Sequence, residues 1–251
     1  MQGTSGMTLM EEASKMNISN YFNRDNDKVS FTRVQASSFA KGVAGDFNPI
    51  HDEDAKRFCV PGDLLFSVFL SEYGISQEMH IEFAGMVGDT TQLIFPQEIP
   101  DSYSLSGDND KIYMDVVRSG EQSRDMQFIS ALVEKYVQFS GQTFPHILVP
   151  LMQKENAMIN PARPLVIYKN MEIHLDSLSG ENIELKLTQS ILQRNGKKGE
   201  VRLEFMILSN GAEIGHGAKN LLLSGLRDYD QAQLDEIIDS YDQWKSNYLP
   251  V

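Results

Sequence analysis

Leu64, Leu65, Phe66, Val68, Phe69 and Leu70 crowd one short stretch of this chain, with Ser67 and Ser71 as the polar breaks. Pro61-Gly62-Asp63 opens this segment as a helix and Asp63 fits its N-cap. Gly74 is a natural stop after about Tyr73. A helix apolar on nearly every side must be buried on nearly every side, so something has to wrap it. Four later stretches are rich in β-branched and aromatic residues and read as strands: His80 to Phe83, Thr90 to Phe95, Lys111 to Val117 and Met126 to Phe139. The pattern then recurs. Phe144-Pro145-His146-Ile147 opens a second mostly apolar helix running to about Met158. Strand-like stretches follow at Leu165 to Leu175, Ile183 to Leu192, Val201 to Leu208 and Gly217 to Leu223, with hairpin signals at Ser179-Gly180 and Asn195-Gly196.

Shorter elements frame this repeat. A helix is expected around Thr8 to Met16, a strand at Val29 to Phe31, a helical turn or two from Ala36 to Val43, and a short helix over Asp52 to Phe58. In the tail, Leu234, Ile237, Ile238 and Tyr241 fall at helical spacing behind Asp228 or Asp230, an amphipathic helix expected to pack on the sheet or on a partner subunit. The pattern divides the chain into a polar segment (1–27), two helix-plus-sheet units (28–140 and 141–226) and a C-terminal helix (227–251).

The net charge of −13 shows no basic stripe, which argues against nucleic acid and against an anionic membrane surface as partners. A single cysteine, Cys59, excludes an intrachain disulfide and reads as a buried, inert thiol. No apolar run of about 18 residues is present, and the acidic Glu11-Glu12 start lacks the apolar stretch of a signal peptide. A cytoplasmic location is expected by elimination. No metal-ligand spacing, dinucleotide fingerprint or phosphate loop is found.

The chemistry-bearing segment is Ala44-Gly45-Asp46-Phe47-Asn48-Pro49-Ile50-His51. Asp46 and His51 stand five residues apart on a turn tightened by Gly45 and Asn48-Pro49, a spacing that can fold both side chains toward one point. The octapeptide closely resembles the Gly-Asp-x-Asn-Pro-aliphatic-His signature of the MaoC-like, (R)-specific enoyl-CoA hydratase family. Pro61-Gly62-Asp63 occupies the place of that family's turn into a buried central helix, and residues 210 to 218 resemble the last hairpin of hot-dog domains. The motif covers about thirty residues; the hot-dog pattern covers most of residues 30 to 225.

The resemblance implies an α+β fold: a double hot-dog, two curved antiparallel sheets each wrapping a long apolar helix. Because the two halves can cover each other's open sheet edge, either a monomer or a homodimer of double hot-dogs is expected. The resemblance also implies an acyl-thioester hydratase or dehydratase. Asp46 and His51 would be the general acid/base pair, Asn48 would orient the pair or its water, and the Gly62 amide would steady the thioester oxygen. No cofactor is expected. The substrate would be carried on coenzyme A or acyl carrier protein, with Arg163, Lys169, Arg194 and Arg202 as candidate phosphate contacts. Many family members have His-Gly where this chain has Pro61-Gly62, and Asp63 places a carboxylate beside the developing enolate unless it caps the helix and points away. That departure keeps a non-catalytic protein, binding acyl-thioesters or a protein partner, as the alternative. A thioesterase shares the fold class, but the Asn-Pro-x-His signature argues against it.

Overall fold

The computed structural model describes residues 16–162 and 165–249, so the expected helix around Thr8 to Met16 lies almost wholly outside them, as does Arg163. Twelve strands and five α-helices are found among the described residues: β1 (Asn23–Asp25), β2 (Lys28–Ser30), α1 (Arg33–Ser38), α2 (Gly62–Tyr73), β3 (Ile75–Phe83), β4 (Leu93–Ile94), β5 (Ser102–Ser106), β6 (Ile112–Ser123), α3 (Met126–Gly141), α4 (Leu148–Lys154), β7 (Ala157–Met158), β8 (Val166–Leu175), β9 (Ile183–Asn195), β10 (Lys198–Ser209), β11 (Ala212–Ser224), β12 (Arg227–Asp228) and α5 (Gln231–Asn247). The architecture is α+β.

Seven strands form one antiparallel sheet in the order β5-β6-β3-β8-β11-β10-β9. Its inner face buries Met79, Ile81, Met171, Ile173, Phe205 and Ile207 against the helices. Its outer face carries Glu78, His80, Glu172, His174 and His216, the alternation that a half-buried sheet requires. The β9–β10 turn falls at Gly196-Lys197, as the Asn-Gly signal predicts. Ser179-Gly180 makes no hairpin, because β8 pairs with β3 and β11 rather than with β9.

The central helix α2 matches its expected bounds, with Gly74 as the C-cap. Leu64, Phe66, Val68, Phe69 and Leu70 are each fully buried. The second long helix is not where composition put it. Met126 to Phe139 is helix α3, not a strand. Phe128, Ile129, Leu132, Val133, Tyr136 and Val137 are buried at i, i+1, i+4, i+5 spacing, a helical stripe that outweighs their β propensity. Asp125 caps α3 by accepting from the amides of Gln127 and Phe128. The expected helix from Phe144 to Met158 is reduced to a π-helical turn (Thr143–Ile147) and the short α4.

Asp52 to Phe58 forms turns rather than the expected helix, and Thr90 to Phe95 supplies only the two-residue β4. The main core lies between α2, α3 and the sheet; a smaller one gathers α4, the far ends of β9 to β11, and Leu234 of α5. Among the described residues, no helix is long and apolar enough to cross a membrane.

Candidate functional site

The motif loop leaves α1 through a π-helical turn (Phe39–Ala44) that ends at Gly45 in the left-handed region, φ +70°. The Asp46 amide donates to the Ala40 carbonyl at 2.8 Å. Asp46 Oδ1 then accepts from the Asn48 amide at 2.9 Å, and Asn48 Oδ1 accepts from the Ile50 amide at 3.2 Å, capping the short 3₁₀ turn Pro49–His51. The carbonyl end of Asn48 therefore shapes the loop.

These turns bring Asp46 and His51 together. His51 Nδ1 lies 2.6 Å from the Cys59 carbonyl oxygen. A carbonyl can only accept, so Nδ1 carries a proton, and in the neutral tautomer this leaves Nε2 as the bare nitrogen. Nε2 faces Asp46 Oδ2 at 3.8 Å, too far for a direct hydrogen bond. The His51 side chain is 11% exposed and that of Asp46 31%, so the carboxylate is the wetter partner. The loop is also tied to the start of α2, because Cys59 N–H donates to the Ile50 carbonyl at 3.0 Å. Burial pushes the Cys59 thiol up to about 11, in keeping with an inert role.

Gly62 is the first residue of α2, where helix amides have no intrahelical acceptor. A Cβ there would meet the Tyr168 ring at 3.1 Å and the Phe83 ring at 3.3 Å, so Gly62 is roofed by two aromatic rings. Asp63 does not cap the helix as expected. Pro61 holds the N-cap position, and the Asp63 side chain runs into the interior.

There it meets Ser140 and Lys219, neither of which sequence reasoning singles out. Ser140 of α3 donates to Asp63 Oδ2, and Lys219 of β11 donates to Ser140 Oγ. Lys219 Nζ lies 3.7 Å from Asp63 Oδ2 and 4.0 Å from the centre of the Tyr168 ring. Tyr168 in turn hydrogen-bonds Tyr136 of α3. Burial pushes the Asp63 carboxyl up and the Lys219 ammonium down, and each is opposed by the other's charge; Asp46 acts on both. Asp63 Oδ1 has no protein partner.

Two further elements brace the loop. The Tyr241 hydroxyl of α5 donates to the Gly45 carbonyl at 3.1 Å and accepts from the Phe47 amide at 3.4 Å. Burial raises that phenol to about 12. The tail helix thus packs on the motif loop as well as on the smaller core. At the end of α3, Gly141 lies directly against Ala44.

A hollow of about 710 Å³ lies on the outer face of the sheet, lined by residues including His80, His174 and His216. A groove of about 280 Å³ runs between Lys41, Phe47 and Asp52 and the residues Trp244, Asn247 and Tyr248. Neither has Asp46 or His51 in its wall. Lys41 is paired with Asp52, Arg194 with Asp228, and Arg202 with Glu204 and Glu172. No group of described residues has the makings of a metal site.

A family model described as "Protein of unknown function (DUF3581)" matches residues 16–232. The chain belongs to the DUF3581 family. The match takes in the motif loop, α2, α3 and β11, so every member of the buried cluster lies inside the DUF3581 region. No curated protein sequence matches this DUF3581 chain.

Among solved structures it is similar to the tesB protein of Mycobacterium avium subspecies paratuberculosis, at 7% identity and a TM-score of 0.42, over 82% of this chain and 97% of that one. The full-length peroxisomal multifunctional enzyme type 2 of Drosophila melanogaster matches at 10% identity and 0.40, over 78% of this chain and 48% of its own. A MaoC-like dehydratase matches at 7% and 0.39, over 80% and 97%. Likenesses of this size decide neither fold nor chemistry for the DUF3581 chain.

Proposed function

We propose that this DUF3581 protein is an acyl-thioester hydratase or dehydratase that interconverts 2-enoyl and 3-hydroxyacyl groups. The observation that carries the reading is the imidazole of His51, fixed through Nδ1 by the Cys59 carbonyl so that a bare Nε2 confronts the Asp46 carboxylate at 3.8 Å. Two acceptors at that separation suit a single water that donates one proton to each. In hydration, Nε2 takes a proton from that water as its oxygen bonds to the β-carbon. The enolate charge passes to the thioester oxygen beside the Gly62 amide, and the acid/base pair returns a proton to the α-carbon. Asn48 contributes by holding the loop in shape. No cofactor enters this chemistry; coenzyme A or acyl carrier protein would carry the acyl group.

The reading extends to the architecture. The sheet divides at the β3–β8 seam into β5-β6-β3 and β8-β11-β10-β9, with one long helix for each part, α2 and α3, as in two hot-dog units fused in one chain; the division then falls before α3 rather than at 140/141. Such a chain needs no second copy to cover its sheet edge at the seam, which is compatible with a monomer and with a homodimer. The cytoplasm is kept as the enzyme's proposed location.

The test is hydration of crotonyl-CoA, followed as loss of the enoyl absorbance. Asp46→Asn and His51→Ala should each lower turnover on the order of 10²-fold or more. A wild type inert on both short and long enoyl chains overturns the proposal. The second reading is a non-catalytic acyl-thioester binder, favoured by the aromatic roof over Gly62 and by cavities that exclude Asp46 and His51. Thermal stabilisation by acyl-CoA without turnover selects it.

A further inference from the structure

Lysine is among the costliest residues to bury, yet Lys219 is 4% exposed on the inner face of β11. Its strand neighbours are the buried Leu203 and Met171, and the groups that meet its ammonium come from three other elements. Ser140 of α3 takes its hydrogen bond, Asp63 of α2 lies 3.7 Å away, and the Tyr168 ring of β8 lies 4.0 Å beneath its ammonium. The titratable groups facing this point are Asp63 and Tyr136 from the two helices, Tyr168 from β8, and Asp46 and His51 from the motif loop. Asp63 directly follows the first residue of α2, and Lys219 is the cation that faces its carboxylate, while Asp46 acts on both from the motif loop.

A buried ion pair alone is no argument for stability, since an apolar pair of like volume serves as well. Its position is the informative part, because Asp63 directly follows Gly62 and an uncompensated carboxylate there would repel any anion brought to that amide.

We propose that Lys219 is a positioning residue that supplies the counter-charge for Asp63, so that Asp63 adds no net charge at the start of α2 and the Gly62 amide can hold the anionic oxygen of a bound acyl thioester. The identity of that anion rests on the hydratase reading. The neutrality does not, because Ser140 links the two partners whichever of them holds the shared proton. The same device explains how Pro61-Gly62-Asp63 can replace a turn free of acid.

The test uses acetoacetyl-CoA, which ionises to an enolate with its own ultraviolet band when a site favours the anion. The full-length wild type, Lys219→Met, Lys219→Arg, Asp63→Asn and the double variant Asp63→Asn/Lys219→Met are titrated with it, with urea unfolding to establish that each is folded. The double variant should match the wild type within about twofold, since residues 63 and 219 carry no net charge in either. Lys219→Met should lose about tenfold of the band, Lys219→Arg should retain it, and Asp63→Asn, with the cation alone, should exceed the double variant by about tenfold.

A Lys219→Met protein with the wild-type band overturns the proposal, and so does an Asp63→Asn protein equal to the double variant. The second comparison decides the matter if Lys219→Met does not fold. Should the band follow the charge series while crotonyl-CoA is not hydrated, the hydratase reading falls and the role of Lys219 stands. Should crotonyl-CoA be hydrated while the band ignores the charge series, the hydratase reading stands and the role of Lys219 falls. A wild type that neither hydrates nor binds the probe overturns both.

Discussion

Gly141 offers the sharpest test of how the site is held. A Cβ at this position would lie 1.9 Å from the Ala44 carbonyl oxygen, 2.7 Å from its carbon and 3.2 Å from the Asp46 nitrogen. Carbon atoms pack best at about 3.5–4.0 Å, so in Gly141→Ala the motif loop must retreat by more than an ångström or the helix end must unwind. Alanine returns up to about 1 kcal/mol as a better helix former. Against this stand about 1–3 kcal/mol of overpacking and about 1 kcal/mol if the Asp46 amide loses its bond to Ala40.

The balance is a net loss of about 2 kcal/mol, or about 4–8 °C in Tm for a chain of this size. Urea and thermal unfolding measure it, and the crotonyl-CoA assay reports whether Asp46 has moved. Gly88→Ala is the control, since its Cβ would find only Thr91 Oγ1 at 3.9 Å. Its stability should stay within about 0.5 kcal/mol of wild type. A Gly141→Ala protein as stable and as active as wild type would refute the close contact between α3 and the motif loop.

Three further outcomes are expected. Tyr241→Phe removes the hydroxyl that bridges Gly45 and Phe47 and should cost about 1–2 kcal/mol in urea unfolding, with lowered turnover; an unchanged unfolding midpoint excludes α5 as a brace. His174 is raised above its ordinary 6.5 by hydrogen bonds to Glu78 and Asp176, with the His216 ring tilted against it at 4.8 Å. Its contribution is therefore fully present below about pH 6.5 and disappears as pH rises through the raised value. The wild type should exceed His174→Gln in stability at pH 5.5 and match it at high pH, and the opposite slope would contradict the pairing. Cys59, with its thiol at about 11, should react with iodoacetamide at pH 8 about a hundredfold more slowly than a free thiol; a rate near that of free cysteine would contradict its burial.

Local signals carried much of this protein. The apolar run from Leu64 to Leu70 sufficed for α2, because a helix with no polar face has only one environment available. Asn195-Gly196 marked the β9–β10 hairpin, whereas Ser179-Gly180 marked none, and the spacing of Leu234 and Tyr241 marked α5. The convergence of Asp46 and His51 was legible for the same reason, since both lie on one short loop whose turns are made by its own glycine, asparagine and proline.

Helix α3 was not legible from composition, because its β-branched and aromatic residues favour strands and only burial on one stripe makes them helical. Nor was the fate of Asp63, whose sequence position suits a cap. Its partner Ser140 stands 77 residues away, and Lys219 a further 79 beyond that serine. A lone Lys219 in a strand pattern reads as a solvated charge. Folding decided otherwise, because β11 turns that side chain inward at the point where α2 begins and α3 ends, and a cation so enclosed must find a carboxylate. The chain alone thus set the central helix, the β9–β10 hairpin and the turns of the motif loop, while the charges that surround the loop were settled by contacts between elements far apart in sequence.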